Sequence, residues 1–177
     1  NFYTLGTIES DGIMYLYQHP QYAVATMYYF YSASLVSKMA AILGKPDDAQ
    51  KYKEIAANVR RVYNTYFIRD DGTITEGRQA PNVRALAFDL VDETKKQAVA
   101  AKLAQMVTEN GCRLNTGFLA TPYLLHVLAD NGYAELAFKV LEQEQSPSWL
   151  FNVKAGATTI LEDWQGFEKC VASFNHY

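Results

Sequence analysis

Helix by helix, this chain alternates between segments that are apolar on all sides and segments that are apolar on one side only. Few architectures accommodate that. Gln21 to Leu43 is apolar nearly all round, with Lys38 its only charge. Asp47 to Phe67 is amphipathic: Tyr52, Ile55, Ala56, Val59 and Tyr63 line one face, while Lys51, Lys53, Glu54, Arg60 and Arg61 mark the wet one. Arg78 to Val91 is largely apolar again, and Glu93 to Asn110 is amphipathic, with Lys95, Lys96 and Lys102 outside. Thr116 to Asp130 carries no charge before Asp130, and Tyr133 to Gln145 returns to the amphipathic pattern with Glu135, Lys139, Glu142 and Glu144.

A helix apolar on every side has to be covered on every side. Three such helices, each followed by a half-wet one, imply an inner apolar layer and an outer amphipathic layer. That is an all-α, α/α arrangement, either a toroid or a curved solenoid. Six helices in this pattern form an open arc with apolar flanks, so the chain is expected to be a portion of a larger protein or of a larger domain.

The connections alternate as well. LGKPDD, LVDE and DNGY are tight, with Gly44, Pro46 and Gly132 suited to stop and turn. IRDDGTITEG, NGCRLN and the run from Ser146 to about Ala172 are longer. Successive antiparallel helices place alternate connections at opposite ends, so all the long loops are expected on one face, together with Asn1 to Pro20. Asp70, Asp71 and Gly72 read as the turn of a short hairpin, with Thr73 to Thr75 extended.

Composition narrows the function classes. With 49% hydrophobic and 20% charged residues the chain is globular, and its net charge of −3 with no basic block points away from nucleic acid and anionic membranes. No stretch reads as a membrane span, and the N-terminus has no basic-then-apolar signal pattern. Cys112 and Cys170 make no disulfide framework, though one bridge between them is open. His19, His126 and His176 are scattered and give no metal signature. No phosphate-cradling loop and no Ser-His-Asp or Cys-His spacing is present, so neither metal nor cofactor is expected.

The stretch with most chemical content is GATTILEDW, Gly156 to Trp164, on the long-loop face. The residues alone favour a structural reading: Thr159 and Glu162 have the spacing of a capping box at a helix start. The second reading is catalytic. A carboxylate beside Trp164 suits sugar chemistry, with the acid working on water and the ring lying on the apolar face of a sugar. His176, after Phe174 and Asn175, reads as a packing residue, and Trp149 as core.

Taken together, YKEIAANVRRVYNTYF with IRDDGTI, GRQAPNVRALAFDLV, LNTGFLATPYLLHVLADNGYAELA, SPSWLFNVKAGATTILEDW and SFNHY resemble the catalytic domain of bacterial α-L-rhamnosidases of the glycoside hydrolase family 78 type, in its C-terminal half. The resemblance runs through most of the chain. Leu161 stands where the family usually has Trp, and Ala120 where it often has Gly.

The resemblance implies an (α/α)₆ barrel, of which this chain is about half. It implies removal of terminal α-L-rhamnose from rhamnosides with inversion, through an acid and a base about 6.5–9.5 Å apart. It assigns the general base to Glu162, places Trp164 at the sugar site and makes His176 a sugar hydroxyl ligand. The family's general acid lies upstream in an Asp-Glu motif. Glu9 and Asp11 lack the pattern around that motif, so the isolated piece is expected to be inactive. Two alternatives stand beside this reading: another glycosidase specificity on the same scaffold, and a non-catalytic helical-repeat binding scaffold.

Overall fold

A computed structural model describes residues 20–74 and 78–167. Seven helices occur among them: α1 (Pro20–Ile42), α2 (Pro46–Tyr66), α3 (Gln79–Ala87), α4 (Glu93–Glu109), α5 (Thr121–Asp130), α6 (Ala134–Leu141) and α7 (Trp149–Lys154). The described residues form no strand. Their only β feature is an antiparallel bridge between Ile68 and Ile74.

The helices pair as hairpins, α1 with α2, α3 with α4 and α5 with α6, and α3 touches both α1 and α5. The apolar helices α1, α3 and α5 therefore stand side by side as an inner row, backed by α2, α4 and α6, as the alternation in the sequence predicts. α3, at the centre, is the most enclosed: Gln79 and the run from Pro81 to Leu86 are buried. Phe88, just beyond its end, ties the row together. Its ring stacks on Tyr31 at 4.3 Å and meets Tyr28 and Tyr123 edge-on at 5.4 and 5.8 Å.

α1 buries Ala23, Met27, Phe30, Ala33 and Ala40 against the other helices. Its opposite side carries Tyr22, Tyr29, Leu35, Met39 and Ile42 in the open, spaced at helical intervals. An apolar helix at the flank of an arc is covered on one side only, which accounts for this stripe.

Polar side chains lock the hairpins at their ends. Buried Asn64 on α2 donates to the Leu90 carbonyl and accepts from the Asp92 amide, both at 2.8 Å. Arg60 reaches the same connection through the Val91 carbonyl, at 2.5 Å, and Asp92. Asn82 on α3 donates to the carbonyls of Gly72 and Val99. These bonds satisfy backbone groups that a buried connection would otherwise leave bare.

Five helices end with one motif, in which a left-handed residue turns the chain and the next N–H returns to a carbonyl five residues back. The bonds are Lys45 to Ala40, Leu90 to Ala85, Cys112 to Val107, Tyr133 to Leu128 and Ala157 to Asn152, at 2.8 to 3.0 Å. The left-handed residues are Gly44, Asp89, Gly111, Gly132 and Gly156.

Several boundaries differ from the sequence reading. α3 stops at Ala87, not Val91, because Asp89 takes φ 57° and closes the helix without a glycine. α5 begins at Thr121, not Thr116, with Pro122 in its first turn. α6 stops at Leu141, not Gln145, and the Gln143 side chain goes instead to the Gly111 carbonyl at 2.6 Å. α7 lies inside a run read as loop. Ser148 caps it by accepting the Phe151 N–H at 3.1 Å.

Candidate active site

The long connections 110–120 and 142–167 meet at one end of the hairpins. Leu114 N–H donates to the Pro147 carbonyl at 2.9 Å, and within the second connection Ser146 Oγ reaches the Gln165 carbonyl at 3.5 Å. The third long connection does not join them. Its turn forms as expected, with Gly72 N–H on the Arg69 carbonyl and Asp71 accepting from Thr73. It then folds flat onto α4, so close that a β-carbon on Gly72 would sit 2.2 Å from the Ala98 carbonyl oxygen. Two of the three long connections therefore touch each other, and the third lies against α4. Asn1 to Pro20, apart from Pro20 itself, lies outside the described residues, as do His19, Glu9 and Asp11.

The stretch GATTILEDW begins as a helix stop. Gly156, at φ 93°, ends α7, with its own N–H on the Val153 carbonyl and Ala157 N–H on the Asn152 carbonyl. No helix starts at Thr159; residues 157–166 run as bends and turns. The capping box is therefore not realised, because its reciprocal bonds need a first helical turn that is absent here.

Within the stretch the side chains divide sharply. Leu161 is 1% exposed and belongs to the interior, so it presents no surface where the family usually has Trp. Asp163 turns back on the chain, its Oδ1 accepting the Gln165 N–H at 2.8 Å, while its carbonyl takes Asn152 Nδ2 at 3.4 Å. Glu162, between them, is half-buried. Of two adjacent carboxylates, Asp163 is committed to a local turn.

Trp164 crosses to the other loop. Its indole N–H donates to the Thr116 carbonyl at 2.8 Å, and its ring meets Trp149 edge-on at 6.2 Å. Both tryptophans are half-buried and pack against the main core, in keeping with the core reading of Trp149. The Thr116 carbonyl also accepts the Thr121 hydroxyl at 3.1 Å, and the two threonine hydroxyls lie 2.7 Å apart in a buried pair. Phe118, Leu119 and Tyr123 are exposed beside this pair in sequence. The sequence reading did not single out Thr116, Thr121 or Asn152. TP at the head of α5 and the Ser148 cap of α7 were the available signals.

His176 lies outside the described residues, as does Cys170; Cys112 is a free thiol. Among the described residues no group of three or more His, Cys, Asp or Glu is arranged to hold a metal ion, and no helix is long and apolar enough to cross a membrane.

Stacked helical hairpins with a carboxylate-bearing loop at one end define the α/α-hairpin class of domain. Residues 16–177 match the family described as the bacterial α-L-rhamnosidase six-hairpin glycosidase domain, and the chain belongs to that family. It is 35% identical to an α-L-rhamnosidase of Streptomyces avermitilis over 165 residues, 89% of this chain and 16% of that protein. It is 34% identical to an α-L-rhamnosidase of Formosa agariphila, over 87% of this chain and 18% of the relative. The fold superimposes on the crystal structure of the Streptomyces avermitilis α-L-rhamnosidase complexed with L-rhamnose with a TM-score of 0.81, covering 87% of this chain and 16% of that one. The chain thus spans under a fifth of the length of the relatives it matches.

Proposed function

We propose that this chain supplies the C-terminal half of an (α/α)₆ catalytic barrel that removes terminal α-L-rhamnose from rhamnosides. The family membership and the three hairpins, half of a six-hairpin domain, support this reading. No cofactor takes part.

Glu162 is the general base. It activates a water that attacks the anomeric carbon from the face opposite the leaving group, and the configuration inverts. The general acid comes from sequence outside this chain and protonates the leaving oxygen, with about 6.5–9.5 Å between the two carboxyl groups to admit the water. Trp164 and His176 are the other members of the site. The observation that supports the assignment is the anchoring of LEDW: Leu161 is interior and the Trp164 indole N–H is bound to the Thr116 carbonyl, so half-buried Glu162 sits on a loop held at the site end. A base without its acid loses about 10²- to 10⁴-fold in rate, so the isolated chain is inactive.

The test uses the full-length protein that contains this chain, wild type and Glu162→Gln, on a panel of nitrophenyl glycosides. The wild type should cleave the α-L-rhamnoside. The variant should fold, bind and fail to turn over. Cleavage of a different glycoside would keep the base and change the sugar. Unaltered turnover by Glu162→Gln would remove Glu162 from the mechanism.

A further inference from the structure

We propose that Trp164 is a positioning residue, a strut that sets the place of the Glu162 carboxylate, and that the Thr116–Thr121 pair is its seat. The inference rests on the reading of Glu162 as the base and goes beyond it. A tryptophan beside a sugar site ordinarily offers its ring face or its N–H to the ligand. Here the N–H is spent on the Thr116 carbonyl at 2.8 Å, and the ring is wedged against Trp149 and the core.

The seat is built to hold still. Thr116 and Thr121 are 5% and 4% exposed. The Thr121 hydroxyl donates toward the Thr116 and Gly117 carbonyls, both at 3.1 Å, at the first turn of α5. A carbonyl held this way fixes the height of the indole. The chain two residues back from the indole carries Glu162, with buried Leu161 pinning the other side. The strut thereby joins the loop that carries the base to the helix that forms the inner row, across 48 residues of sequence. General-base chemistry is sensitive to such placement: a shift near 1 Å can cost about 10²-fold in rate.

The experiment measures kcat and KM for the full-length protein on the aryl α-L-rhamnoside, in wild type, Trp164→Phe, Thr121→Val and the double variant. Phenylalanine keeps most of the packing and removes the N–H. Thr121→Val keeps the shape and removes the hydroxyl that holds the seat. Each single change should lower kcat roughly 10- to 100-fold with KM within about twofold. The double variant should be little worse than either single one, because both changes release the same carbonyl.

A raised KM with unchanged kcat in Trp164→Phe would make the ring a sugar platform and overturn the strut. Unchanged kcat per folded molecule, with only a lower melting temperature, would reduce the contact to a structural one and overturn it too. A wild type that cleaves no rhamnoside would sink the reading of Glu162 itself. Active wild type with unaffected variants would sink the strut alone.

Discussion

Gly166 lies against the ring of Phe151: a β-carbon built on it would stand 2.9 Å from Phe151 Cε1, at a φ of 104°. The turn that closes GATTILEDW thus fits under α7 only as glycine. Both the left-handed backbone and the ring oppose a side chain. Gly166→Ala should lower the stability of the full-length protein by about 1–3 kcal/mol, read from urea unfolding. Adding Phe151→Leu should return part of that loss by removing the steric half of the penalty and leaving the backbone half. If Gly166→Ala unfolds at the wild-type midpoint, the close approach is wrong.

Asn64 makes a second sharp prediction. Its side chain satisfies the carbonyls of Arg60 and Leu90 and the amide of Asp92 in a buried setting. Asn64→Ala strands the Leu90 and Asp92 groups, at about 1–3 kcal/mol for each buried group left without a partner. Asn64→Asp keeps the acceptor for Asp92 and loses both donated bonds. Thermal melts should therefore rank wild type above Asn64→Asp and Asn64→Ala, with hydrogen exchange at Asp92 spared only in the former.

Arg84 points the other way. It is 8% exposed, and its Nε has no hydrogen-bond partner; nor has the buried Tyr63 hydroxyl. Burial holds the Arg84 guanidinium below its ordinary pKa and pushes the Tyr63 phenol well above its own. Arg84→Met keeps much of the volume and removes the charge. Calorimetry should show a higher melting temperature, by the equivalent of about 1–4 kcal/mol. A lower one would mean that the arginine is compensated after all.

The Ile68–Ile74 turn should be acid-sensitive. The Thr73 N–H and hydroxyl both donate to the Asp71 carboxylate and hold its pKa below the ordinary value. A carboxyl depressed in the folded state stabilises above its unfolded pKa and loses that contribution as pH falls through its folded one. The protection of the Thr73 amide, relative to its intrinsic exchange rate, should accordingly fall on acidification below the usual carboxylate range. In Asp71→Asn the same amide should show no such acid step.

The layering was legible because burial writes itself into periodicity. α1, α2 and α4 start and stop within a residue or so of the segments marked by charge and apolar spacing. Where the chain ends a helix by an exceptional residue, the pattern misleads. Asp89 does the work of glycine, so the apolar run from Arg78 to Val91 looked like one longer helix. The site was legible in part. LEDW could be located, but a Thr–Glu spacing is the same in a capping box and in a turn that ends a helix. The bond from Trp164 to a carbonyl 48 residues away has no local signature, because backbone acceptors are alike at every position. The flat course of the Gly72 turn over α4 was hidden for the same reason: loop length gives a reach and no direction.

Because five helices carry their own terminators, the length of each helix is written beside it and owes little to the loop that follows. Loop and scaffold are therefore separable parts. The connections at the site end can be lengthened, shortened or exchanged between relatives while the hairpins keep their register. Recombination at Gly111 or Gly156 would exchange a connection and leave the helix before it intact.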